Sequence, residues 1–195
     1  MLAVKRYGLL DAGDRIAVTV GEDASSLLLA ELLHILQRFS EAPFTAVFCA
    51  ESERAAMLAK GLGLELTECQ ATGPEMAAQA LGCNKLAVAD CMEDAVETEV
   101  NGLFWTGELR ALPPMEQAED VWRIRPLYRI ARADIAAWAR RTELDAGLPQ
   151  TRWPNARTLI DRMKETTPDV EKSLFSSLHA VCPETLPGGI SVKKL

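Results

Sequence analysis

The sequence predicts an α/β fold: a parallel β-sheet with helices on both faces, followed by a short helical carboxyl-terminal region. Short, continuously apolar runs alternate with helix-period segments over roughly the first hundred residues, and the links between them are short. Strands buried on both faces read as continuous apolar runs, and helical crossovers are what parallel strands require. The composition, 48% hydrophobic and 25% charged over 195 residues, is that of a globular chain long enough to bury a core without staples.

The elements follow in order. Arg15–Val20 (RIAVTV) reads as a buried strand, and residues 23–39 as a helix with Leu28, Leu32, Ile35 and Phe39 at helical spacing. Phe44–Cys49 is the next strand, Glu51–Leu62 a helix ended by Gly61 and Gly63, and Leu64–Thr67 a short strand. Pro74–Leu81 is helical, with Pro at its start and Gly82 past its end. Lys85–Ala89 is a fourth strand and Glu93–Leu103 a helix. Pro113, Pro114 and Glu116–Asp120 read as a loop, and Val121–Leu127 as the last strand. Helices are expected over Arg132–Thr142, Ala156–Glu165 and Val170–Ala180, with a loop marked by Gly147, Pro149 and Pro154 and a loose tail at Pro187–Leu195. Residues 1–130 are read as the sheet domain and 131–195 as a helical extension packed on it.

The balance of 21 basic and 28 acidic residues, net −7, excludes a non-specific nucleic-acid coat protein. The charge is uneven, however: residues 120–165 hold ten Lys or Arg against six Asp or Glu, a local excess that could steer a polyanion or simply solvate a helix face. No apolar run approaches the roughly 20 residues that span a bilayer, and the amino terminus MLAVKRYGLLDAGDR places charges where a secretory signal is apolar. A cytoplasmic protein with no membrane partner is expected. Cys49, Cys69, Cys83, Cys91 and Cys182 contain no CxxC pair, so no metal site is expected, and most of them read as small buried hydrophobes.

Ligands of parallel sheets bind beyond the carboxyl ends of the strands, where strand order reverses. That directs attention to residues 20–26, 49–52 and 89–94. After the first strand comes Val20-Gly21-Glu22-Asp23-Ala24-Ser25-Ser26, then a long helix. A strand, a small-residue turn and a helix amino terminus can bind phosphate through free backbone N–H groups. Taken alone, the turn reads better as a helix cap made by Asp23 or Ser25.

The wider sequence resembles the PP-loop ATP pyrophosphatase superfamily, and within it the tRNA 2-thiocytidine synthetase family. VGEDAS stands where that family has SGGxDS, and Ala89-Asp90-Cys91-Met92-Glu93-Asp94 where it has GHHxDD. Glu97-Thr98 resembles its ET pair, Leu109-Arg110-Ala111-Leu112-Pro113-Pro114 its LKAMPP stretch, and Ile124-Arg125-Pro126-Leu127 its IRPL. Pro154-Asn155 with Arg157 resembles its PN-x-x-R, one residue shorter, and Leu174-Phe175-Ser176 with Val181 and Pro183 its carboxyl-terminal signature. The resemblance implies a Rossmann-like, adenine nucleotide alpha hydrolase-like fold. It also implies ATP at the loop, adenylation of a tRNA base carbonyl, and sulfur delivery through an iron–sulfur cluster held by CxxC cysteines.

The departures concern chemistry. In the loop only Gly21 and Ser25 match; Glu22 and Asp23 bring charge, and Glu22 adds a Cβ where backbone approaches phosphate. A carboxylate about 4 Å from a phosphate charge is unfavourable by roughly 4 kcal/mol at an effective dielectric of 20. In the second motif both His positions are lost, and Asp90, Cys91, Glu93 and Asp94 read as helix-start residues. The second CxxC falls at Leu148–Trp153, and no iron–sulfur cluster is expected. His34 and His179 read as structural.

Three readings follow. One is a degenerate PP-loop protein with impaired or lost ATP pyrophosphatase activity, holding ATP or AMP, if any nucleotide, at Gly21, Glu22, Asp23, Ser25, Ser26 and Asp94, with the purine near Cys49–Ser52, or serving a protein partner. The second is an active Mg²⁺-ATP-dependent tRNA-modifying enzyme without a cluster, in which Glu22, Asp23 and Asp94 hold Mg²⁺. The third is an RNA-binding module with tRNA as partner, using Arg110, Arg125, Arg152 and Arg157, with Arg123 and Arg129 alongside and Trp122 and Trp153 available for stacking.

Overall fold

The structure is a computed structural model and describes residues 2–69, 71 and 73–182. Pro183 and the tail Pro187–Leu195 lie outside the described residues. The chain divides into two compact units: Met1–Ala95 with Leu112–Arg152, and Val96–Ala111 with the chain from Trp153 onward.

The first unit is built on a five-stranded sheet. Its strands are β1 (Arg15–Val20), β2 (Thr45–Ala50), β3 (Lys85–Ala87), β4 (Met115–Ala118) and β5 (Val121–Ile124), in the order β2-β1-β3-β5-β4. β1 pairs in parallel with both β2 and β3, and β3 in parallel with β5. Ile16, Val18, Val20, Leu86 and Ile124 are fully buried, which is why these runs carry no polar alternation. Helices α1 (Leu2–Tyr7), α2 (Ala24–Phe39), α3 (Glu53–Gly61), α4 (Pro74–Ala80) and α6 (Arg132–Thr142) complete this unit. Helix α5 (Met92–Asn101) begins in it and ends in the second unit.

Several elements differ from the sequence reading, among them α1, which it does not contain. Leu64–Thr67 is reduced to one parallel bridge, Phe48↔Leu66. The stretch read as a loop before the last strand forms β4, antiparallel to β5 across a tight turn at Glu119–Asp120. In α2 the helical period holds but its phase shifts: Leu27, Leu29, Ala30 and Leu33 are buried, while Ile35 and Phe39 face solvent.

The second unit holds the end of α5, a π-helical turn at Gly102–Thr106, α7 (Pro154–Thr166) and α8 (Val170–Ser177). Arg157 of α7 ties it together, donating to Glu171 Oε1 at 2.6 Å, pairing with Asp161, and approaching the fully buried Glu97 at 3.7 Å. Trp153 Nε1 donates to Thr98 Oγ1 at 3.3 Å. The ET and PN-x-x-R stretches thus meet as packing. No described helix is long and apolar enough to cross a membrane.

Candidate functional site

From β1 the chain continues to β2 on one side and, later, β3 on the other, so strand order reverses at β1. The carboxyl ends of these strands open into a cavity of about 800 Å³. Its walls include Gly21, Glu22, Asp23 and Ser25 after β1, Glu51 and Arg54 after β2, Val88–Asp90 after β3, Asp94, and the loop Gly147–Arg152.

Gly21 is buried, and its N–H donates to Ser26 Oγ at 2.5 Å. A Cβ at Gly21 would stand 3.3 Å from Glu51 Oε2 and 3.4 Å from Asp23 Oδ2, so two carboxylates already crowd the turn. Asp23 is the N-cap of α2. Its Oδ1 accepts the Ser25 N–H at 2.9 Å and the Ser26 N–H at 3.2 Å. The remaining first-turn amide, Ala24 N–H, donates to the Gly147 carbonyl at 2.9 Å, and Gly147 N–H returns a bond to the Glu22 carbonyl at 2.9 Å. The helix amino terminus, which in a phosphate loop offers free N–H groups to an anion, is therefore satisfied from within the chain.

The other carboxylates are also engaged. Glu22 accepts the Ser52 hydroxyl at 2.6 Å and lies 3.6 Å from Arg54 Nε, which in turn holds Asp145 at 2.8 Å through its Nη2. Asp94 Oδ2 accepts the Cys91 N–H at 2.7 Å, and its Oδ1 pairs with Arg132 at 3.0 Å. Glu93 accepts the Arg132 N–H at 2.8 Å. Asp90 is gripped by two arginines, Arg125 Nε at 2.7 Å and Arg152 Nη2 at 3.2 Å. The cavity wall thus carries Glu22, Asp23, Glu51, Asp90 and Asp94 against Arg54 and Arg152.

The arginines singled out for RNA take different places. Arg152 lines the cavity and is half exposed. Arg125 is instead a buried structural residue, 2% exposed, with its fork taken up by Asp90, Glu116 Oε1 at 2.6 Å and the Pro113 carbonyl at 2.7 Å. Burial pushes the Glu116 carboxyl up, but Arg125 and Arg123 outweigh it and hold the group below the usual glutamate range. Arg110 and Arg157 belong to the second unit; Arg110 is exposed and paired with Glu108 at 2.8 Å, while Arg157 is mostly covered by its carboxylates.

The donor sets for metal are poor. Glu22, Asp23 and Asp94, the three carboxylates assigned to Mg²⁺, already hold protein donors. Among the described residues no three His, Cys, Asp or Glu side chains form a group that could hold a metal ion. All five thiols are free. Burial, with Asp94 and Glu93 nearby, pushes the Cys91 thiol far above its ordinary value, which disfavours the thiolate that ligates iron. These residues do not fit a cluster held by converging thiolates.

Two contributions escaped the sequence reading. Glu51, read from sequence as the first residue of a helix, instead precedes α3 and reaches the cavity wall. The Gly147–Arg152 loop seats itself on the α2 amino terminus from more than a hundred residues away, and only its Gly and Pro gave a local sign of a turn.

The fold is an α/β, adenine nucleotide alpha hydrolase-like one, with its cavity where strand order reverses. No family model matches the chain. It is 27% identical to the tRNA-cytidine(32) 2-sulfurtransferase of Syntrophotalea carbinolica over 227 aligned positions, covering 94% of this chain and 88% of that protein. The Geobacter sulfurreducens protein of the same name is 26% identical over the same shares. Among solved structures, the U34-tRNA thiolase NcsA from Methanococcus maripaludis with its [4Fe-4S] cluster superposes with a TM-score of 0.64, covering 91% of this chain and 76% of that one. At 14% identity that likeness concerns the fold. Over most of its length the chain is thus similar to tRNA-cytidine(32) 2-sulfurtransferases, and its fold to that of a tRNA thiolase.

Proposed function

We propose that this chain is a PP-loop relative of the tRNA thiolases that has lost the ATP pyrophosphatase step and acts as a tRNA-binding protein. The observation that carries the reading is the Asp23 carboxylate on the Ser25 and Ser26 amides. An ATP phosphate at this turn would have to displace an anion tethered two and three residues from those amides, and would meet Glu22 and Glu51 beside it. Each carboxylate within about 4 Å of a phosphate charge costs roughly 4 kcal/mol at an effective dielectric of 20, several times the 1.4 kcal/mol of a tenfold affinity change. Two arginines in the wall do not offset five carboxylates, and each already neutralises one of them. The tRNA partner is inferred from the sulfurtransferases to which the chain is similar.

The test is pyrophosphate release from Mg²⁺-ATP with bulk tRNA present. The expected result is no release above background, alongside tRNA binding that weakens as salt rises. Turnover that requires tRNA and is lost in Asp94→Asn would overturn the reading. It would make the chain an active Mg²⁺-ATP-dependent tRNA-modifying enzyme.

A further inference from the structure

The second unit presents an aromatic groove that the phosphate turn does not explain. After α5 the chain winds through the π-helical residues Gly102–Thr106, a geometry that is rare and concentrated at functional sites. Gly102 makes the turn possible. A Cβ there would stand 2.6 Å from the Glu108 carbonyl oxygen, closer than side-chain carbons come to backbone. The Glu108 N–H and the Thr106 hydroxyl both donate to the Gly102 carbonyl, at 3.0 and 3.1 Å, and Gly107 closes the turn in the left-handed region at φ 69°.

This locked turn holds Phe104 and Trp105 outward, 65% and 47% exposed, with ring centroids 6.1 Å apart and planes tilted by 59°. Leu103, next in the chain, is exposed as well. A lone exposed apolar side chain needs no explanation, but a cluster this dense marks a surface that something covers. Asn155, Thr158, Leu159 and Arg162 of α7 complete a groove of about 650 Å³. No carboxylate among the described residues lines it, although the chain as a whole is acidic. Arg162 is exposed and makes no ion pair among the described residues. Arg110 packs its Cβ 3.3 Å from the Cβ position of Gly102.

We infer that this groove binds an unpaired nucleotide of a single-stranded RNA segment, the base stacked on Trp105 and Phe104. The chemistry of the lining selects that occupant. Every base has a π-face that an exposed indole can stack. The Asn155 amide offers both donor and acceptor to a base edge, and the Thr158 hydroxyl does the same. The Arg162 guanidinium complements the phosphate charge. The inference rests on RNA as the partner class proposed above and names the surface that receives it.

The test is fluorescence anisotropy of the full chain with a labelled, unstructured RNA of about ten nucleotides, and with the same RNA annealed to its complement. The single strand is expected to bind tighter than the duplex. Trp105→Ala and Arg162→Ala should each weaken it about tenfold, within the range of base–aromatic stacking. Phe39→Ala, which removes an exposed aromatic ring from the first unit, should leave affinity within about twofold. Both substituted groove residues are exposed, so an unchanged thermal melt shows that the variants fold. Gly102→Ala provides a second check, losing RNA binding with Trp105 still present. If Trp105→Ala binds RNA as tightly as the parent chain, the groove assignment is wrong while the RNA reading stands. If the parent chain binds neither RNA nor tRNA, both fall. If Trp105→Ala instead dissociates a dimer in sedimentation, a second copy of the chain covers the groove and the inference is overturned.

Discussion

The Asp23 carboxylate accepts the Ser25 backbone N–H at 2.9 Å, within the first turn of the helix that leaves β1. That turn lines the cavity beyond the strand ends, so on the reading proposed above one side chain both caps the helix and stands where a phosphate would sit. The capping role predicts its own stability effect. Asp23→Ala should destabilise the protein by about 1 kcal/mol, whereas Asp23→Ser should be nearly neutral, because a hydroxyl caps as well as a carboxylate. Urea unfolding of the two variants measures the difference.

Arg125 carries a contrasting expectation. It is buried between Asp90, Glu116 and the Pro113 carbonyl, and Arg125→Met would leave buried acceptors without their shared donor. The loss should be about 3 kcal/mol of stability. The tRNA affinity of the variant that remains folded should stay within about twofold. Equilibrium denaturation paired with a tRNA binding curve checks both; an affinity loss with unchanged stability would place Arg125 in contact with RNA.

Glu99 of α5 is a buried carboxylate whose Oε2 has no hydrogen-bond partner among the described residues, while Oε1 accepts the Ser177 hydroxyl at 3.2 Å. Burial pushes its carboxyl above the usual glutamate range, and the Ser177 hydrogen bond only partly opposes this. A raised folded pKa means that the fold disfavours the ionised form. The destabilisation is full at neutral pH and disappears as pH falls below about 4.5, where both folded and unfolded states are protonated. Glu99→Met should therefore stabilise the protein by about 1 kcal/mol at pH 7, with a gain that shrinks toward pH 4. Ser177 keeps its bond to the Leu174 carbonyl in that variant. Thermal melts at the two pH values read the effect.

What the sequence could reveal depended on how local the cause was. RIAVTV and the buried part of KLAVA declare parallel strands because both faces are covered. Asp23 announces a helix cap because the cap bond spans only two residues. β4 was hidden because Met115–Ala118 is half-exposed and mixed in polarity, and its strand character comes from pairing with β5. The six-residue α1 went unread for a similar reason: so short a helix is held by packing rather than propensity. The phase of α2 was misplaced because its first half is apolar nearly all round, so period alone does not select a face. At the site, the residues after β1 and β3 were legible from the topological rule. Gly147 was not, because its bonds to Ala24 and Glu22 link segments more than a hundred residues apart. The burial of Arg125 was not legible either, because charge alone carries no information on it.

Titration calorimetry of Mg²⁺-ATP into the parent chain and into Asp23→Gly is the most direct measurement. Glycine caps a helix with only a few tenths of a kcal/mol lost, so the variant folds while its Ser25 and Ser26 amides are released. The expected outcome is no saturable heat for the parent up to about 1 mM nucleotide and an affinity at least about tenfold higher in the variant. Submicromolar binding by the parent chain, undiminished or weakened by Asp23→Gly, would contradict the claim that this carboxylate stands in the phosphate's place.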